Sequence, residues 1–132
     1  MGKELNGLLR KELFRDIKYL VGDELGAANR KFPLFHSAHE GYAVIKEELE
    51  EAVEESNGAV DNLEVLWSVI RENGVGLESV SYIKEHAIKA AAEFIQVAAM
   101  CEKYLLSCQE DLKKNCAAYG TGTVVECEKP RW

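Results

Sequence analysis

Apolar residues recur at spacings of three and four along most of the chain, and this pattern predicts amphipathic helices. Few stretches show the strict alternation that is typical of strands, so the predicted fold class is all-α, an antiparallel bundle of about four helices. The predicted helices are Lys3 to about Asn29, Ser37 to about Ser56, Asp61 to about Glu72, and Ser79 or Ser81 to about Cys108.

Local signals suggest where these helices begin and end. Pro33 disfavours helix at the residue before it, so Arg30–His36 is predicted to be an extended connector. The segment Ser37-Ala38-His39-Glu40 is a capping-box pattern, in which Glu40 is expected to reach back to the Ser37 amide. Asn57-Gly58 is expected to close the second helix, and Asn73–Gly76 to separate the third from the fourth.

The domain organisation is predicted to be simple, because 132 residues suffice for one domain with a real core. Residues 1–118 are assigned to an all-α bundle, with a further helical turn around Gln109–Ala118. Residues 119–132 are assigned to a C-terminal tail, either a frayed arm or a small strand or hairpin.

The predicted fourth helix is apolar nearly all round from Ala87 to Leu106. A helix that is apolar on every side is expected to be buried on every side. A domain of this size cannot cover it alone, so we expect a second copy of the chain to do so, most simply in a two-fold dimer.

The net charge of −7 argues against DNA, RNA or an anionic membrane as a bulk partner. It is compatible with a nucleotide, because a metal ion can bridge an acidic site to phosphates. No secretory signal and no apolar run of the ~18 residues that span a bilayer is visible, so the expected location is the cytoplasm.

The four cysteines are expected to be free thiols. No CxxC pair occurs and no histidine lies close by in sequence, which argues against a zinc site. Cys101 falls within a helical pattern and is predicted to be a small core residue.

The candidate chemistry begins in the second predicted helix, where the carboxylates fall on two different faces. Glu48 lies within the apolar stripe formed by Val44, Ile45, Leu49 and Ala52, and Glu51 lies at its edge. The exposed face is assigned to Glu47, Glu50 and Glu54. Two inward carboxylates are costly to bury unless a positive charge lies between them.

A second inward pair, Glu93 and Gln96, lies in the most apolar helix. Antiparallel packing of the two helices would bring three carboxylates and an amide oxygen together, a set of hard oxygen ligands that suits Mg²⁺ or Mn²⁺. Lys89 shares the face of Glu93 and is the candidate phosphate contact. Glu55 is either a spare ligand or a surface residue, and Gln96 is either a ligand or a buried amide bonded between subunits.

This pattern resembles the all-α nucleoside triphosphate pyrophosphatases, the MazG-like and dimeric dUTPase-like proteins. The resemblance rests on Glu47-Glu48-Leu49-Glu50-Glu51 and Glu93-Phe94-Ile95-Gln96, and it covers roughly Phe35 to Tyr104. The stretches FHSAHEGYAVIKEELEE and AAAEFIQVAAM also resemble small MazG-like proteins of phages and Gram-positive prophages.

The resemblance implies that Glu48, Glu51 and Glu93 are the catalytic, Mg²⁺-binding residues of a helical bundle that acts as a dimer or tetramer. The implied reaction converts a nucleoside triphosphate and water to a nucleoside monophosphate and pyrophosphate. The family's second motif ends in Asp, whereas Gln96 stands here, and the 41 residues between Glu51 and Glu93 exceed the usual gap. The alternatives are therefore a catalytically inactive helical module that binds nucleotide or a protein, and a purely structural bundle.

Overall fold

The computed structural model describes residues 3–119, with side chains described for residues 10–114. Three α-helices account for most of this part: α1 (Lys3–Lys31), α2 (Ala38–Arg71) and α3 (Leu77–Tyr119). The all-α prediction is confirmed. The predicted C-terminal tail lies, from residue 120 onward, outside the described residues.

The chain divides into two compact units. The first comprises the chain up to Ile45 and from Ala98 onward, and the second comprises Lys46–Val97.

The core of the first unit is small and centres on the connector between α1 and α2. Phe35, Ala99 and Met100 are its buried members. The partly buried apolar residues packed against them are Val21, Leu25, Ala28, Val44, Ile45 and Tyr104. The connector predicted to start at Arg30 starts later, because α1 continues through Lys31. It places Phe35, its buried aromatic residue, at the centre of this unit.

Two polar side chains of α3 hold the connector in place. Lys103 is buried, donates a hydrogen bond of 2.6 Å to the Phe32 carbonyl, and lies over the ring of Phe35. Ser107 accepts a hydrogen bond of 3.0 Å from the Phe35 amide and donates to the Lys103 carbonyl. These bonds satisfy main-chain groups that a non-helical segment leaves unpaired.

The start of α2 follows the capping-box prediction with one difference. The Ser37 hydroxyl accepts a hydrogen bond of 3.1 Å from the Glu40 amide, as expected. The Glu40 carboxylate, however, accepts from the His36 amide at 2.9 Å and not from the Ser37 amide. Glu40 thus has the structural role that was predicted, one residue earlier in the chain.

The predicted end of a helix at Asn57-Gly58 is wrong, and this reduces the count from four helices to three. α2 continues through both residues to Arg71. Gly58 faces the ring of His86, and a Cβ atom at this position would lie 2.7 Å from that ring. The glycine therefore makes room for a neighbouring side chain, which is a different reason for glycine than the left-handed backbone of a helix end.

The turn from α2 to α3 supplies the true helix end. Asn73 has a φ of 62°, and its amide bonds the Ile70 carbonyl while the Gly74 amide bonds the Val69 carbonyl. This pair of bonds is the Schellman motif, with asparagine in the left-handed position. Gly76, at a φ of 69°, then precedes α3, whose first turn is closed by the Val80 amide bonding the Gly76 carbonyl.

In the second unit, α2 and α3 form an antiparallel hairpin. Residues later in α2 contact residues earlier in α3. Glu55 bonds His86, and Glu51 lies beside Glu93. The expectation that α3 is buried all round is not met within one chain, since Ile88 is 61% and Phe94 45% exposed.

The two cysteines with described side chains, Cys101 and Cys108, are free thiols, as predicted. Cys101 is exposed, so its assignment to the core is wrong for the single chain. Among the described residues, no helix combines the length and the apolar character that crossing a membrane requires.

Candidate metal centre

Three carboxylates meet on the facing sides of α2 and α3 in the second unit. One oxygen from each of Glu48, Glu51 and Glu93 lies within 4.8 Å of the other two. Glu48 and Glu93 are partly buried and Glu51 is exposed, so the cluster is open to solvent on one side. The convergence predicted for these three residues is therefore seen in the structure.

The positions of these residues explain the convergence. Glu48 and Glu51 are three residues apart and so lie on neighbouring positions of one helix face. Ala52, next to Glu51, is fully buried, and Ala90, one turn before Glu93, is nearly so. Small side chains let two helices approach closely, and the longer carboxylates beside them then reach one another.

Electrostatic repulsion within the cluster is evident at Glu93. Burial raises the pKa of its carboxyl group, and the charge of Glu51, a hydrogen bond with Glu51 and the charge of Glu55 raise the pKa further. A cation bound between the carboxylates would favour their charged forms. Three carboxylate oxygens, open to solvent for water and phosphate ligands, fit the preferences of Mg²⁺.

A histidine–carboxylate pair lies beside the three carboxylates along α2 and α3, and the sequence analysis did not predict it. His86 Nδ1 lies 2.7 Å from Glu55 Oε2, and the two side chains are 32% and 29% exposed. Glu55 is thus a partly exposed residue that pairs with His86 and lies outside the three-carboxylate group. The available signal was the spacing of seven that places Glu55 on the face of Glu48 and His86 on the face of Glu93.

The other predicted site residues lie as follows. Gln96 is partly buried one turn beyond Glu93 and takes part in an interaction within the chain. Lys89 is exposed, and its ion pair in the structure is with Glu85 at 3.4 Å. The structure therefore gives no contact between Lys89 and the carboxylate cluster.

The remaining acidic residues of α2 behave as predicted, with one correction to the apolar stripe. Glu47, Glu50 and Glu54 are exposed, and Lys46 forms an ion pair with Glu50. Leu49, assigned to the inward stripe, is 43% exposed and instead lines an open groove of about 710 Å³ along α2. Val53, Asn57, Gly58 and Asp61 also line this groove, as does His86 from α3.

Comparison of the chain with protein-family models, curated proteins and solved structures found no match.

Proposed function

We propose that the chain is a Mg²⁺-dependent nucleoside triphosphate pyrophosphohydrolase of the MazG-like type, acting in the cytoplasm. The observation that carries this proposal is the convergence of Glu48, Glu51 and Glu93, two of which lie close in sequence while 41 residues separate the third from Glu51. The motifs that resemble the all-α pyrophosphatases supply the three side chains that meet.

The three carboxylates would hold the ion, Mg²⁺ or Mn²⁺, through single oxygens. When bound, the ion would polarise a substrate phosphate and lower the pKa of a water molecule. The exposed side of the cluster at Glu51 leaves room for the polyphosphate. In the reaction, the oxygen of water forms a bond to the α-phosphorus, the bond from that phosphorus to its bridging oxygen breaks, and pyrophosphate leaves.

Gln96 favours one alternative, a catalytically inactive module that binds nucleotide or a protein partner. An amide carries no charge and cannot accept a proton from water, so it contributes less to a Mg²⁺ site than an aspartate would. In that case the bundle would retain the carboxylate cluster and the hairpin without turnover.

A homodimer or homotetramer is part of the proposal, and the exposed apolar residues of α2 support it. In the second unit these residues recur at spacings of three, four and seven, as in a coiled-coil seam. They are Leu49, Val53, Val60, Leu63, Trp67 and Ile70, each at least 43% exposed. We call this set the α2 seam, and a second copy is the occupant we expect.

The test is a pyrophosphate assay with each ribonucleoside and deoxyribonucleoside triphosphate in the presence of Mg²⁺. We expect release of pyrophosphate from at least one substrate and loss of release in Glu48→Ala. Lys46→Ala, which removes an exposed residue of the same helix, is the matched control. Release no greater than that of Glu48→Ala for every nucleotide would contradict hydrolysis and leave the inactive module.

A further inference from the structure

His86 and Glu55 form the one histidine–carboxylate contact described between α2 and α3. Their bond of 2.7 Å is short, and both side chains are about 30% exposed. The pair is therefore shielded enough to be held in one geometry and open enough to be reached by a ligand. A fully exposed ion pair between flexible side chains would not be held in one geometry.

The pair continues the strip of carboxylates rather than forming a separate patch. Glu55 is one turn beyond Glu51 on α2, and its charge acts on Glu93. His86 precedes Glu93 by seven residues, or two helical turns, which correspond to about 10 Å along α3. The strip thus has carboxylates at one end and the imidazole at the other.

A bound polyphosphate would be stabilised by a basic side chain at the His86 end of the strip. Polyphosphate bound to a cation at the carboxylate cluster still carries negative charge on its distal phosphates. The lysines Lys46 and Lys89 form their described ion pairs with Glu50 and Glu85 on exposed faces. His86 is the basic side chain that the structure places in contact with the strip itself.

The ring of His86 lies against α2 at Gly58, and its bond to Glu55 uses only one of its two nitrogens. With the Glu55 carboxylate accepting the hydrogen of Nδ1, Nε2 is the ring nitrogen left for a ligand, as in the carboxylate–histidine pairs of many binding sites. Gly58 provides the space in which the ring lies, since a Cβ there would come within 2.7 Å of it. The ring also borders the groove along α2.

We infer that His86, held by Glu55, binds the phosphate of the substrate that lies farthest from the metal-binding carboxylates. The donor is Nε2–H and the acceptor is a phosphate oxygen. His86 is thus assigned the phosphate contact that sequence reasoning gave to Lys89. This inference rests on the proposed function, because it requires a metal-bound polyphosphate beside Glu48, Glu51 and Glu93.

The direct test is NMR of the histidine rings during titration of the Mg²⁺-loaded protein with inorganic tripolyphosphate. The chain has three histidines, and His86→Gln identifies the signals of the third. We expect the His86 ring nitrogens to shift on saturation while those of His36 and His39 stay unchanged. Tripolyphosphate binding without a shift at His86 would overturn the inference and leave the metal site intact.

Affinity gives a second readout that a merely structural role would not change. We expect His86→Gln to weaken tripolyphosphate binding about tenfold, since a hydrogen bond to a charged group contributes on this scale, and to leave Mg²⁺ binding unchanged. The matched control is His39→Gln, the same substitution at an exposed position. Equal weakening of Mg²⁺ binding by His86→Gln would mean that the residue supports the fold of the cluster and would contradict a phosphate contact.

Failure of the proposed function has a different signature. If the protein binds neither Mg²⁺ nor tripolyphosphate, and Glu48→Gln changes nothing, both the metal site and the His86 contact are excluded. If Mg²⁺ and tripolyphosphate bind with the His86 shift but no nucleotide is hydrolysed, the inactive binding module is correct and the His86 contact stands.

Discussion

Glu51 and Glu93 hold carboxylate oxygens within 4.8 Å of each other, although 41 residues separate them in the chain. Like charges this close oppose folding unless a proton or a cation lies between them. Burial, and after it the charge of Glu51, raises the pKa of Glu93. The same arrangement should attract a divalent cation. Stability without metal and affinity for metal should therefore change in opposite directions when a carboxylate is removed.

Glu93→Gln is expected to raise the melting temperature of the metal-free protein, because it removes a partly buried negative charge that faces Glu51 and Glu55. The variant should also lose the stabilisation by Mg²⁺, which for a protein site would be about 2.7 kcal/mol at a hundredfold excess over Kd. Thermal melts with and without Mg²⁺ measure both effects. Glu47→Gln, on the exposed face, is the control and should retain the response to Mg²⁺.

Gln96→Asp is expected to strengthen Mg²⁺ binding by about tenfold, the scale of changes made around metal sites. The reason is that a carboxylate one turn beyond Glu93 would add a negative oxygen ligand. Calorimetric titration with Mg²⁺ measures the affinity, and the pyrophosphate assay measures any gain in turnover. Gln109→Asp makes the same change at an exposed position of α3 and should alter neither. Unchanged Mg²⁺ affinity in Gln96→Asp would show that position 96 lies outside the site.

Gly58→Ala is expected to lower the melting temperature, even though alanine favours helix by about 1 kcal/mol over glycine. The new Cβ would lie 2.7 Å from the His86 ring, and displacing the ring breaks its bond to Glu55. Gly26→Ala is the matched control, because no atom lies within 4 Å of a Cβ built there. We expect that control to be stabilised. An equal gain in both variants would mean that the ring moves away without cost.

Lys103 should produce a pH dependence of stability in the alkaline range. Burial lowers the pKa of its ammonium group below the ordinary 10.5, and the charge of Glu40 opposes part of this effect. Between the lowered value and 10.5 the unfolded chain binds more protons than the folded one, so stability contributed by this residue rises with pH. We therefore expect the denaturant midpoint of the parent to rise relative to that of Lys103→Met as the pH increases towards 10.5. A difference that stays constant with pH would contradict this assignment.

The α2 seam should determine the oligomeric state. Leu63→Glu places a charge in the middle of the seam, and we expect it to dissociate the oligomer, because a charge buried at an apolar interface costs several kcal/mol. Sedimentation velocity measures the change. Val65→Glu is the matched control, since Val65 is similarly exposed but lies on another face of α2. An unchanged sedimentation coefficient for Leu63→Glu would exclude the seam as the interface.

Helix type and inward faces were predictable from sequence because the three-and-four spacing of apolar residues is a direct consequence of helix geometry. The same geometry predicted that the side chains of Glu48, Glu51 and Glu93 would lie close together, as they do. Helix ends were less predictable, since the two signals at Asn57-Gly58 and Asn73-Gly74 look alike in sequence. Only the second is a helix end. Gly58 instead makes room for the ring of His86, which is distant in sequence.

The partners of individual side chains could not be predicted, because they depend on the register between helices. Lys89 and His86 lie on overlapping faces of α3 in sequence. In the structure Lys89 points to Glu85 within its own helix, and His86 points to Glu55 on the facing one. Burial was also misjudged for Leu49 and Cys101, since a single sequence does not reveal which apolar positions a chain leaves uncovered.

The first part of α3, between Gly76 and His86, has a consequence for how this chain can change over evolutionary time. One residue inserted between Gly76 and His86 would rotate everything after it by 100°, carrying Glu93 off the face it shares with Glu51. Seven inserted residues would restore the face but displace it by two turns, about 10 Å, past its partners. Substitutions in this part of α3 should therefore be tolerated far better than insertions or deletions there, because its length sets the register on which the carboxylates depend.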